Sequence, residues 1–504
     1  MKIHRPKSKR LSGWTIGWLA GAVLLLGSLQ ARLAAQESLA TPFSKVERKN
    51  RAPVSQEILR VKIPRPIEAK LKNGLTVLII EDRRAPYINM QLYLGGAGAL
   101  FEPANLSGLA STTAQMLREG TRTRTSLAIA EEVDRLGASI SAGASFGSPD
   151  TVVSAAGLSD NFDDWFQVAV DILLHPSFPA DELEKLKQRQ RIQLRQQRSA
   201  ANFLLNERFH DAVFRDHPAA RVSATPQSLD GITREALLKW HGERYAPQNS
   251  ILAVAGDVRA RDLVARLEKQ LATWKRSGFK SVWPRNPVAP SARKVYLVDR
   301  PNSVQTTLAL GNIAMDRRSP DYLPMVVMND IIGGGASARL FLNLREEKGY
   351  TYGVYSRFAA GRYPGPWRAG GNMRTEVTEA ALKEFYYEIR RMRDEKVPAG
   401  ELEESKRSIA ASFALSLEQP ARVLNFAVTR TIYGLPADYW DTYPARIMAV
   451  TAEDVQRVAQ KYLNPDSLQL VAVGDAAKIR AVLDKYGTVE LYDANGVLLP
   501  AGGS

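Results

Sequence analysis

Few side chains in this sequence stand at a spacing that does chemistry unaided. His175, His210, His217 and His241 are scattered, with no H-x-x-x-H pair to put two imidazoles on one helical face, and His217-Pro218 reads as a turn. Glu131 and Glu132 lie in SLAIAEEVDRLGA, where neighbouring carboxylates cap or solvate a helix more readily than they share a proton. Ser111 would serve as a nucleophile only beside a base. None is identifiable, and no G-x-S-x-G elbow raises it from its helix. The triple glycine Gly333, Gly334 and Gly335 precedes a helix and would cradle a phosphate if G-K-[ST] followed, which it does not. The chain has no cysteine, so disulfides, thiolate metal sites and cysteine nucleophiles fall away.

Two stretches would position such residues. In LYLGGAGALFEPANLSGLASTTAQMLREGT, from Leu92 to Thr121, an apolar strand runs through a turn marked by glycine and proline into a helix starting near Ser107. Leu109, Ala110, Thr113, Met116 and Leu117 recur at helical spacing and form a buried stripe. Ser111, Ala114 and Gln115 share the opposite face. In NDIIGGGASARLFLNLREEKGYTYGVYSRF, residues 329–358, the glycines make an open turn, Ala336 to Lys348 form a helix, Gly349 ends it, and YTYGVYSRF continues as a strand.

The first stretch resembles the zinc metallopeptidases of the pitrilysin/insulinase type, which include the mitochondrial processing peptidases and bacterial relatives. Their helix reads G-L-A-H-x-x-E-H-M-x-x-x-G-T, and Gly108, Leu109, Ala110, Met116, Gly120 and Thr121 match its frame. The resemblance places the two zinc-binding histidines on Ser111 and Gln115 and the glutamate base on Ala114. The third ligand, a glutamate on a later helix, falls in LEKLKQRQRIQLRQQ, at Gln196. A hydroxyl and an amide are poor zinc ligands and a methyl group takes no proton, so no metal or other cofactor is expected on this chain.

The second stretch resembles the carboxy-terminal halves of the same family, G-G-G-x-S-S-R-L-F-x-x-L-R-E-x-x-G-x-x-Y. There an arginine and a tyrosine seven residues apart complete the active site, and they fall on Arg345 and Tyr352. The resemblance implies that Gly333, Gly334, Gly335, Arg345 and Tyr352 bind peptide, with the guanidinium on a substrate carbonyl and the phenol donating to the oxyanion. The bland alternative pairs Arg345 with a nearby glutamate and packs Tyr352. Arg339 reads as an exposed helix residue that could add a contact.

At the amino terminus Lys2, Arg5, Lys7, Lys9 and Arg10 precede an apolar core from Trp14 to Leu29, and Ala34-Ala35 offers a cleavage site. Residues 1–35 read as a signal peptide exporting the chain to a periplasm, with an uncleaved anchor as the alternative. The formal charge is +15, but six basic and no acidic residues lie in 1–35, leaving the mature chain near +9. That mixed remainder describes a solvated surface and speaks against a nucleic-acid role.

The rest is repeated. PADELEKLKQR from Pro179 recurs as PAGELEESKRS from Pro398, an offset of 219. ITREALLKWHGERYAPQNSILAVAGDV from Ile232 recurs as VTAEDVQRVAQKYLNPDSLQLVAVGDA from Val450, an offset of 218. The expected class is mixed α+β: two homologous halves, each a mixed sheet packed with long helices, with the family's clam-shell chamber. After the leader come a flexible lead-in (36–60), a first peptidase-like domain (61–272), a linker (273–291), a second domain (292–491) and a loose tail (492–504). Two functions fit. One is a non-catalytic subunit lending Arg345 and Tyr352 to a homologous zinc-bearing partner, with unfolded peptides as substrates. The other is an inactive peptide-binding scaffold. A self-sufficient peptidase with an unorthodox metal site ranks last.

Overall fold

The computed structural model describes residues 61–500, so the leader, the whole lead-in and the last four residues of the expected tail lie outside the described residues. Among the described residues twelve strands form two six-stranded mixed sheets. In the first half these are β1 (Ile67–Lys70), β2 (Thr76–Glu81), β3 (Tyr87–Gly95), β4 (Ser139–Ala144), β5 (Asp150–Leu158) and β6 (Ser250–Gly256), in the order β1-β2-β6-β3-β5-β4. The second holds β7 (Val295–Asp299), β8 (Gln305–Met315), β9 (Thr351–Ala360), β10 (Pro364–Arg374), β11 (Gln469–Gly474) and β12 (Val489–Tyr492), in the order β12-β7-β11-β8-β10-β9.

The internal repeat shows in the pairing. β2 and β6 run parallel, as do β7 and β11, and the three pairings outward from β6 and from β11 are antiparallel. Only the far edge breaks the correspondence: β1 enters antiparallel from before its sheet, while β12 returns parallel from the end of the chain. Thr233 and Thr451 cap corresponding helices, accepting from the amides of Ala236 and Asp454. Each cap satisfies one of the amides that a helix start leaves without a partner.

Alternation along the strands sends side chains to two faces. On the first sheet Val77, Ile79, Met90 and Val254 meet Trp165, Phe166 and Leu267 of its own helices. On the second Val295, Leu297, Leu310 and Leu470 meet Met328, Phe385 and Val458. The opposite faces are covered by an exchange of helices. Leu204, Phe209 and Val213 of helix Ala201–Phe214 lie against Ala309, Val471 and Val473 of the second sheet. Leu424, Ala427 and Val428 of helix Pro420–Tyr433 lie against Leu78, Ala253 and Ala255 of the first. Asn206 accepts from Arg368 at 3.2 Å and the repeat-equivalent Asn425 from Tyr93 at 3.3 Å, so the crossing is reciprocal down to a side chain.

Two expectations need correction. Residues 492–500 are not a loose tail: Leu499 donates its amide to Leu491, and Arg198 and Arg208 donate to the carbonyls of Ala494 and Gly496. Apolar Leu491 and Tyr492 hold this end against the sheet and the crossing helix. Nor does one helix span Ala336 to Lys348. A single α-turn, Arg339–Phe341, passes into a π-helical turn, Leu342–Glu347, where the Lys348 amide reaches back to Asn343. Gly349, at φ +62°, ends the segment as expected. Among the described residues no helix is long and apolar enough to cross a membrane.

Candidate functional site

The first motif helix runs Leu109–Met116, and Gly108 starts it from φ +97°, a left-handed conformation that glycine adopts without strain. Leu109, Ala110, Thr113, Met116 and Leu117 are buried as their spacing predicts. Ala114 is 0% exposed as well, so it does not share the open face of Ser111 and Gln115. Those two bond to each other, Gln115 Nε2 donating to Ser111 Oγ at 3.0 Å. A hydroxyl and an amide satisfied this way, beside a buried methyl group, make no metal-binding set, and the site does not fit zinc. Among the described residues no group of three His, Cys, Asp or Glu side chains stands close enough to hold a metal ion.

The third-ligand position needs correction. Helix Ala180–Arg198 meets the motif helix through Gln190, whose Oε1 lies 3.4 Å from Thr112 Oγ1, and through Arg189, which pairs with Glu119 at 3.3 Å. Gln196 lies six residues on, where its carbonyl caps the helix end by accepting from Ser199. Installing histidines at 111 and 115 and glutamate at 114 should therefore give only weak zinc binding. Adding Gln190→Glu should tighten it about tenfold or more, while Gln196→Glu should not. Competition with a chromogenic chelator measures this, and equal effects at 190 and 196 would contradict the geometry.

Glu102 fixes the start of that helix, accepting from the amides of Gly108 at 2.9 Å and Ala110 at 2.6 Å. Burial pushes its pKa up to about 7, against the pull of those amides and of Arg221. The native chain thus keeps a proton that the unfolded chain, with an ordinary value of 4.5, has released. This contribution to stability is complete below the unfolded value and is lost as pH rises through the folded one. The wild-type melting temperature should fall between about pH 5 and pH 8 more steeply than that of Glu102→Gln. Parallel slopes would remove Glu102 as the cause.

The second motif is also partly redrawn. Gly333 is buried at the end of helix Tyr322–Gly333, where an added Cβ would stand 2.5 Å from the Ser356 nitrogen of β9. It allows helix and strand to touch and is closed to a peptide. Gly334 is exposed, and Gly335 faces open space. Arg339 is not an exposed helix residue. It is 6% exposed and grips Glu401 with two parallel bonds of 2.7 and 2.6 Å.

Arg345 lies in the π-helical turn, paired with Glu346 and 4.9 Å from the Phe341 ring centre. Tyr352 does not pack. It stands 91% exposed on β9, the unpaired edge of the second sheet. Among the described residues no hydrogen bond joins Arg345 to Tyr352, or either to the motif helix. The four histidines do structural work: His241 and His210 meet the carbonyls of Leu173 and Ala219, His217 accepts from the Ala219 amide, and His175 pairs with Asp171. Sequence reasoning missed Gln190 and the helix exchange. The shared Leu-Asn of Leu205-Asn206 and Leu424-Asn425, offset by 219, was the available signal for the second.

Comparison with known proteins places these features. The family model described as Insulinase (Peptidase family M16) matches residues 76–227, and that described as Peptidase M16 inactive domain matches 231–409. The chain belongs to peptidase family M16. It is 28% identical over 363 residues to an uncharacterized zinc protease of Rickettsia bellii, covering 70% of this chain and 84% of that one. An uncharacterized zinc protease of Bacillus subtilis is 22% identical over 349 residues, covering 69% of this chain and 83% of the relative. The crystal structure of a peptidase M16 inactive domain from Pseudomonas fluorescens superposes with a TM-score of 0.75 at 28% identity, covering 81% of this chain and 98% of that one. A protease from Helicobacter pylori gives the same TM-score at 18% identity, covering 82% and 100%, a likeness of fold alone. The chain is a peptidase homologue with the M16 clam-shell fold.

Proposed function

We propose that this chain is the non-catalytic subunit of a heteromeric zinc metallopeptidase, exported to the periplasm. It binds peptide and lends Arg345 and Tyr352 to a homologous partner that carries the zinc. The observation that carries this reading is the exposure of Tyr352. A phenol left 91% exposed on an edge strand does nothing for this chain's own core, and it is free to meet a substrate held by another chain. Tyr355 and Leu342 stand exposed in the same segment, and Tyr355 packs on Phe341 at 5.6 Å, giving apolar surface for a partner to cover. The motif helix keeps its place but not its ligands, so metal and base must come from elsewhere.

The scaffold reading draws on Arg345, already engaged by Glu346 and Phe341 and needing no substrate. Co-expression with an exported homologue that has an intact H-x-x-E-H separates the two. Size-exclusion chromatography with light scattering should show a 1:1 complex at micromolar concentration. Separate elution of the two chains would end the shared-site reading and leave the scaffold.

A further inference from the structure

The second half holds a cleft of about 410 Å³ that the peptidase chemistry does not use. Its walls come from the end of helix Thr378–Asp394, the approach to β7 at Arg293, the loop before β11 at Pro465 and Asp466, and Tyr486 ahead of β12. Lys383 is held by Glu379 at 2.9 Å. Arg293, Arg390 and Arg393 have no carboxylate partner among the described residues, although Asp394 and Asp466 line the same cleft. Two buried donors are also left over: Arg393 Nε and the hydroxyl of Tyr386, a residue only 3% exposed, find no hydrogen-bond partner. Burial raises the Tyr386 pKa and nearby Arg293 opposes it, its guanidinium 5.7 Å from the ring centre without a well-formed bond to the hydroxyl. Tyr386 is braced by Tyr486, stacked at 5.2 Å and 12°.

We infer that this cleft is a binding site for a phosphate-class oxyanion, carried by a soluble ester or by a lipid headgroup. Buried donors without acceptors are costly, and both leftover donors belong to residues that line the cleft, where an oxyanion would supply acceptors. Guanidinium groups are planar forks that match phosphate oxygens two at a time. Asp394 and Asp466 offset two of the three free charges, so a monovalent anion gains little there and a dianion gains more. The volume exceeds that of a bare phosphate and leaves room for an organic group.

The purified chain alone suffices for the test, whatever becomes of the subunit reading. Calorimetric titration at low ionic strength with inorganic phosphate and with glycerol 3-phosphate should show saturable 1:1 binding, with sulfate competing and acetate not. Arg390→Ala, at an exposed position that leaves the fold intact, and Arg393→Gln should each weaken binding about tenfold. Arg83→Ala, remote from the cleft, should change nothing. Co-sedimentation with vesicles containing phosphatidic acid, lost in Arg390→Ala, would assign the phosphate to a lipid. Binding of the soluble esters without vesicle binding would assign it to a small molecule. No saturable heat up to about 10 mM phosphate, or binding that both arginine variants leave unchanged, would overturn the site.

Discussion

Tyr352→Phe in the proposed complex should lower kcat by about 10²–10³, with KM close to wild type. Tyr352 makes no packing contact to lose, because it stands 91% exposed on β9. Removing its hydroxyl therefore leaves the fold and the assembly as they were. On the proposed role, what disappears is one donor to the oxyanion formed in the transition state, about 3–4 kcal/mol of stabilisation absent from the ground-state complex. Arg345→Ala should raise KM as well, since a guanidinium on a substrate carbonyl acts before and during the reaction. Its pairing with Glu346 must be given up for that contact, which makes its effect the smaller of the two. Steady-state kinetics on the complex decides the matter, and an unchanged kcat in Tyr352→Phe would strip the residue of its role.

The largest effect on stability is expected at Trp367. It is fully buried on β10, between Asn312 of β8 and Phe358 of β9 in the sheet. Its indole donates to Asn329 Oδ1 at 3.1 Å, which also accepts from Ser356 Oγ at 2.9 Å. With Gly333 pressed on the Ser356 backbone, these contacts tie helix Tyr322–Gly333 to the strand that carries Tyr352. Trp367→Ala leaves a large cavity and takes away one of the two donors to Asn329 Oδ1, costing about 3–5 kcal/mol. Urea unfolding measures it, and a cost below about 1 kcal/mol would mean that the cluster does not hold β9. Unfolding should be one cooperative transition, because each half covers the other's sheet with a helix.

The repeated halves were legible because each copy keeps a capped helix, a turn and an apolar strand at a nearly constant offset. Period-two alternation then gives each strand its two faces. The destination of the second face was not legible: helices Ala201–Phe214 and Pro420–Tyr433 look amphipathic in sequence whichever sheet they cover. The motif helix was readable from its glycine and apolar frame, although it starts at Leu109 rather than near Ser107. The buried side chain of Ala114 was not, since a small residue fits either face of a helix. Gln196 was the wrong glutamine because a long polar helix offers similar side chains every turn, and only packing singles out Gln190. Arg339 reads as surface until Glu401, 62 residues away, closes on it. The π-helical turn at Leu342–Glu347 leaves no composition signal.

The claim that this chain completes a peptidase it cannot be by itself is tested most directly by cleavage of an unstructured fluorogenic peptide. Three samples are compared at equal concentration: this chain, an exported homologue with an intact H-x-x-E-H, and the two combined. The expected result is turnover in the combined sample alone, abolished by chelation of the partner's metal and sharply reduced by Tyr352→Phe. A homologue that cleaves as fast alone as with this chain present would contradict it.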